Sequence, residues 1–294
     1  AKGASYEFAD AGKTEGFAEA LALAEGSDVI VAAMGEKWDM TGEAASRTSL
    51  DLPGNQQALL EALVATGKPV VLVMLSGRPN SIGWADENVP AILHAWYPGT
   101  QGGHAVADVL FGDYNPSGKL PVTFPRNVGQ VPIHYDMKNT GRPIELGAPG
   151  AKYVSRYLNT PNDPLYRFGY GLSYTAFAYS PATLSATSMG PGGSITASAT
   201  ITNTGDRAGE EVVQLYVRDL VGSVTRPVQE LKGFEKVMLK PGESRTVSFT
   251  LTPADLAFTR ADMSHGWEPG EFQLWIAPSS GAKASTPVTF TLAE

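Results

Sequence analysis

The chain has 294 residues, carries 30 Asp and Glu against 22 Lys and Arg for a formal charge of −8, and contains no cysteine. That length suits two domains of roughly 100–200 residues each. The acidic balance excludes a basic stripe for nucleic acid, and the missing cysteines exclude disulfides, thiolate nucleophiles and Cys-based zinc sites. No apolar run approaches the ~18–20 residues of a membrane span. The chain opens Ala1-Lys2-Gly3-Ala4 without Met or a signal peptide, and the expectation is a processed or truncated product.

Phe17 to Ala24 reads as a short Ala- and Leu-rich helix. Asp28 to Met34 is a continuous apolar run, the pattern of a strand buried on both faces of a parallel sheet. The loop Gly35 to Ser49 follows, and Pro53 then opens a helix over Gly54 to Ala65 with Leu59, Leu60, Leu63 and Val64 at helical spacing. Gly67-Lys68-Pro69 stops it. Val70 to Leu75 and Ala91 to Ala95 are two more buried strands, and Gly103 to Leu110 is another helix. Strands alternating with helices predict a parallel, doubly wound α/β sheet. Functional groups gather at the carboxyl ends of such strands, where the Gly35–Ser49 loop lies.

Periodicity dissolves from about Asn127, and 134–179 is too long for an ordinary connection, so it reads as a linker or wrapping segment. From about residue 180 the texture is all-β. Ser194–Ile201, Glu211–Val217, Arg245–Leu251 and Phe272–Ile276 read as strands, with turns at Asn203–Asp206, Lys240–Glu243 and Glu268–Glu271. Short alternating strands with regular turn signals predict an immunoglobulin-like or fibronectin-type sandwich. The expected organisation is therefore an α/β domain over 1–133, a linker over 134–179 and a β-sandwich over 180–294.

The loop from Gly35 to Ser49 places Glu36, Asp39 and Glu43 with Arg47 and Trp38 after a buried strand. A carboxylic acid can protonate a departing oxygen, an Arg can orient a hydroxyl or a carboxylate, and a Trp can wall a sugar ring. The same composition also suits a solvated loop, and residue types alone leave both readings open. Other signals are weaker. The four histidines lack metal spacing, and His94 reads as a core or strand-end residue. Gly99-Thr100-Gln101-Gly102-Gly103 lacks the Lys-Ser/Thr of a phosphate loop, and there is no Gly-x-Ser-x-Gly elbow.

Longer passages carry a resemblance. They are Gly42-Glu43-Ala44-Ala45-Ser46-Arg47-Thr48 into Leu50-Asp51-Leu52-Pro53, Thr66 to Val73, Ser76-Gly77-Arg78-Pro79, Trp96 to Pro121, Leu165 to Tyr174, and Leu231 to Glu243. Together they resemble glycoside hydrolase family 3, of the periplasmic β-glucosidase type, over nearly the whole chain. The resemblance implies an α/β sandwich domain, N-terminally clipped, followed by a fibronectin type III-like domain, with an N-terminal barrel absent. It implies a retaining mechanism, whose two carboxyl groups stand about 5–5.5 Å apart. Glu43, four residues before Arg47, then matches the family's acid/base, with Glu36 as its competitor. The family's loop often reads Glu-Gly-x-Asp-Arg, and here Ser46 replaces the Asp. Arg47 would hold a substrate hydroxyl or fix the loop, and Trp38 would line the aglycone subsite or pack beside the strand.

The Asp nucleophile of that family has no counterpart here: Asp28 starts a buried strand, and Asp39 and Asp51 lack motif support. The chain alone is therefore expected to be inactive. The implied substrate is a terminal non-reducing β-D-glucosyl residue of a β-glucoside or short β-gluco-oligosaccharide, with no cofactor and no metal. The implied partner is the chain's own N-terminal barrel, with no nucleic acid or membrane, and with a homodimer left open. A periplasmic or secreted location follows from the resemblance only. A β-xylosidase or another exo-glycosidase is the alternative within the class, and a non-catalytic carbohydrate-binding or structural module is the alternative outside it.

Overall fold

A computed structural model describes residues 14–143 and 151–294. The chain folds as two compact units that interleave in sequence. The first comprises residues up to Phe111 together with Phe124–Pro132, and the second comprises Gly112–Thr123 and Ile133–Glu294. Residues 112–123, read above as the end of the α/β domain, thus fold with the sandwich.

The first unit runs α1 (Phe17–Glu25), β1 (Ile30–Gly35), α2 (Gln56–Val64), β2 (Val70–Leu75), α3 (Gly83–Asn88), β3 (Ala91–His94) and α4 (Gly102–Phe111). Its three strands form a parallel sheet in the order β1-β2-β3. The order runs one way, so the described strands lack the reversal of the expected doubly wound sheet. Ile30, Ala32 and Met34 sit in register with Val70, Leu72 and Met74 on one buried face. Leu60 and Leu63 of α2 are buried as well, and α2 packs against β1. Burial of each such side chain contributes roughly 1.5–3 kcal/mol. The other face of β1 differs from expectation: Val31 is 53% exposed and Ala33 is exposed too. A sheet face is covered only where a helix packs on it, so an apolar run alone did not guarantee two covered faces. α2 ends where Gly67 turns left-handed at φ 75°, as the Gly-Lys-Pro stop signal requires. α3 carries no long apolar period and was not legible.

The second unit contains β4 (Phe177–Tyr179), β5 (Thr183–Leu184), β6 (Ser188–Met189), β7 (Ile195–Asn203), β8 (Gly209–Asp219), β9 (Glu230–Leu239) and β10 (Ser244–Leu251). It continues with β11 (Phe258–Thr259), β12 (His265–Gly266), β13 (Gly270–Ala277) and β14 (Val288–Leu292). One sheet has the order β10-β7-β4, with β5 also on β7, and the other has β6-β14-β13-β8-β9. β7 alternates buried and half-buried along its length, and Ile195, Ala197, Ala199 and Ile201 meet Val213, Leu215, Val217, Leu274 and Phe290 in the core. β8 is buried on its second face as well, at Gln214 and Tyr216, where Tyr216 and Trp275 of β13 need a cover. The segment from residue 134 supplies it: Tyr135 stacks on Phe168 at 4.2 Å and meets Tyr216 edge-on at 6.1 Å. Gln214 reaches out of β8 to donate to Gly169 O and Pro278 O. The 134–179 segment therefore wraps the sandwich, so far as its residues are described; residues 144–150 of it lie outside the described residues.

Residues 112–123 are tied to the same unit by polar contacts. Asn115 Oδ1 accepts from Ser173 Oγ and the Tyr174 N–H while its Nδ2 donates to Ala208 O. Lys119 Nζ donates to Gly171 O at 2.8 Å and pairs with buried Glu211 at 3.2 Å, whose other oxygen accepts from Tyr179. The Asn-Pro-Ser-Gly-Lys turn is thus an anchor.

Candidate active site

Parallel register generates the site. Gly35 pairs with Leu75 at the carboxyl ends of β1 and β2, so the next residues, Glu36 and Ser76, emerge side by side. Gly35 is indispensable to that exit. Its φ is 135°, and a Cβ there would lie 2.0 Å from Leu75 O. Buried Gln56 of α2 clamps its backbone, accepting from the Gly35 N–H at 2.7 Å and donating to Gly35 O at 2.9 Å.

Glu36 is 4% exposed and carries four side-chain partners. Arg47 and Arg78 (2.9 Å) donate to Oε1, while Ser76 (3.0 Å) and Thr41 (3.1 Å) donate to Oε2. Burial pushes its pKa up. The hydrogen bonds from Arg47 and Ser76, the charge of Arg78 and the hydrogen bond from Thr41 outweigh that, and the carboxyl is held below its ordinary value. Glu36 is thus a fixed carboxylate counter-ion.

The rest of the loop is strapped to this centre. Arg47, its side chain 7% exposed, also donates to Asp51 O at 3.0 Å. Arg78 donates to the carbonyls of Met40 and Ala45 and, at 2.8 Å, to Thr41 Oγ1. Tyr97 Oη donates to Lys37 O at 3.1 Å, and Asn80 Nδ2 and the Ser81 N–H both donate to Leu50 O. Between these straps the tip projects. Gly42 has φ 113° and Ala44 has φ 58°, and Glu43 between them is exposed. Ala44 thus adopts a left-handed conformation that non-glycine residues rarely take.

Of the residues read from sequence, Glu36 and Arg47 meet directly, Glu43 stands free at the tip, and Trp38 is 84% exposed rather than packed beside the strand. Arg47 is engaged within the loop, by Glu36 and Asp51 O. Arg78 and Tyr97 were not singled out as site residues. The available signal was position: each follows a sheet strand, as Glu36 does. Among the described residues no group of three or more His, Cys, Asp or Glu is placed to hold a metal ion, and no helix is long and apolar enough to cross a membrane.

The glycosyl hydrolase family 3 C-terminal domain matches residues 4–174, more than half of the chain, and a fibronectin type III-like domain matches 211–280. The chain belongs to glycosyl hydrolase family 3. It is 52% identical over 262 residues to a periplasmic beta-glucosidase of Salmonella typhimurium, covering 89% of this chain and 34% of that protein. It is 44% identical to a beta-xylosidase of Formosa agariphila, covering 96% of this chain and 38% of that protein. Its fold is similar to the crystal structure of beta-glucosidase from Listeria innocua in complex with glucose, with a TM-score of 0.90 at 38% identity, over 96% of this chain and 39% of that one. The chain therefore spans little more than a third of the length of these family 3 relatives.

His94 closes β3 in the same unit. Its ring lies 4.3 Å from that of Trp96 and 5.1 Å from that of Phe124, and neither ring nitrogen has a hydrogen-bond partner. Burial lowers its pKa from the ordinary 6.5 to about 4. A base whose folded pKa is depressed stabilises the fold above its unfolded value and loses that contribution as pH falls. The first unit should therefore lose about 2–3 kcal/mol between pH 6.5 and 4. Glu36, whose pKa is also lowered, adds its own loss only below about 4.5. Urea denaturation at pH 6.5, 5.5 and 4.5 should show a falling midpoint in the wild type and a flat one in His94→Phe. A slope that survives in the variant assigns the acid sensitivity elsewhere.

Proposed function

We propose that this chain supplies the general acid/base of a retaining β-glucosidase that releases terminal non-reducing β-D-glucosyl residues, with Glu43 as that group. In this reading the Asp nucleophile comes from a barrel region outside the chain. Glu43 protonates the glycosidic oxygen as the Asp attacks the anomeric carbon, then takes a proton from the water that releases the sugar. Trp38, exposed five residues before Glu43 in a short helical turn, offers a flat wall to the departing group. Arg47 acts by holding the loop.

The observation that carries this reading is the contrast between the two candidate carboxylates. Glu36 is buried, bridged by two guanidiniums and kept ionised, so it has neither the exposure nor the proton of an acid. Glu43 sits exposed on a braced loop at the carboxyl end of a parallel strand, where such folds place their chemistry. The names of the relatives from Salmonella and Listeria support the glucoside, and the name of the Formosa relative supports a xyloside as the second reading. The Salmonella relative also supports a periplasmic location.

The chain alone should leave p-nitrophenyl β-glucoside intact, whereas the chain joined to the remaining part of the Salmonella relative should hydrolyse it. Turnover by the chain alone would overturn the division of labour. Faster hydrolysis of the xyloside would select the second reading.

A further inference from the structure

Arg78 belongs to the end of β2, yet its guanidinium joins two points of the loop that flank Glu43. Nη1 donates to Met40 O and Nη2 to Ala45 O, so the tip Thr41–Ala44 is held at both stems by one side chain. Nη1 also donates to Thr41 Oγ1 at 2.8 Å, while Glu36 Oε1, 2.9 Å away, fixes the guanidinium in turn. We infer that Arg78 is a positioning residue for Glu43: it staples the two stems so that the tip presents the carboxyl group in one place. This rests on Glu43 being the acid/base.

Two physical points support the staple. The tip backbone is locally unfavourable, since Ala44 sits at φ 58° where a Cβ crowds its own carbonyl, and such a conformation persists only when its surroundings impose it. Arg78 is also the side chain whose two nitrogens separately reach the two stems. A lysine offers all its donors from one nitrogen and cannot span both carbonyls, so Arg78→Lys keeps the charge and removes the bridge. Arg47, which shares Glu36 Oε1 with Arg78, holds the loop's descending arm through Asp51 O and leaves the tip to Arg78.

A misplaced acid has a specific kinetic signature. Cellobiose needs its leaving oxygen protonated, whereas 2,4-dinitrophenyl β-glucoside departs as a stable anion without help. In the chain joined to the remaining part of the Salmonella relative, Arg78→Lys should lower kcat/KM for cellobiose by about 30-fold and for the dinitrophenyl glucoside by less than about 3-fold. Equal losses on both substrates, or no loss, would overturn the inference. Glu43→Gln, run beside it, separates the two levels. If Glu43→Gln shows the split and Arg78→Lys does not, the staple alone is wrong. If Glu43→Gln shows no split, the reading of Glu43 fails and the staple with it. Trypsin gives a second measure on the chain itself: cleavage after Lys37 and Arg47, the two sites that flank the tip, should rise about tenfold in Arg78→Lys with sites outside the loop unchanged. An unchanged rate there, or general digestion, counts against a positioning role.

Discussion

Glu43→Gln, in the chain joined to the remaining part of a family relative, is expected to lower kcat/KM for cellobiose by about 10²–10⁴-fold, the usual worth of a positioned proton donor. The amide matches the carboxyl in size, so contacts at the exposed tip stay while the transferable proton is lost. Added azide should restore turnover on an activated glucoside. A small anion attacks the glucosyl-enzyme without needing a base, and the product is β-glucosyl azide, the configuration retained by two displacements. A wild-type rate in the variant would remove Glu43 from the chemistry. Recovery without a glucosyl azide product would remove the second, base-catalysed half of the mechanism.

Glu36→Ala is expected to fail in the opposite way. It leaves the Arg47 and Arg78 guanidiniums, whose side chains are 7% and 18% exposed, without their shared carboxylate. Removing one partner from such a buried set typically costs about 3–5 kcal/mol, because the remaining charges stay desolvated. The urea midpoint of the first unit should fall accordingly, while Glu43→Ala, at an exposed site, should stay within about 0.5 kcal/mol of wild type. Equal stabilities for the two variants would mean that the cluster does not brace the loop. A large loss from Glu43→Ala would mean that the tip carries structure as well as chemistry.

The parts of this fold that were legible in sequence share a physical origin. β2 matched its expected bounds at Val70–Leu75, and α2 and α4 differed by only a residue or two, because apolar periodicity and Gly or Pro stops are local properties. β7 was equally plain from its alternation. β9 was missed as a strand: Glu230–Leu239 has a mixed, charge-rich pattern, and its Gly233 lies beneath the ring of Phe249, a packing reason invisible in one dimension. The span 1–133 also read continuity where the chain interleaves, with Gly112–Thr123 in the second unit and Phe124–Pro132 back in the first. Lys119 joins the sandwich through Glu211, 92 residues later, and no local pattern announces such a contact.

Sequence by itself determined the two fold classes, the family, and a short loop holding both candidate carboxylates, because each of these rests on residues near one another in the chain. Only the tertiary structure decided which carboxylate is free. Glu36 and Glu43 are the same residue type in one loop, and their fates diverge when β1 and β2 align in parallel. That register brings Ser76 and Arg78, 40 and 42 residues away, onto Glu36 and buries its charge among donors, while the same arginine leaves Glu43 outside, held at the tip of the loop.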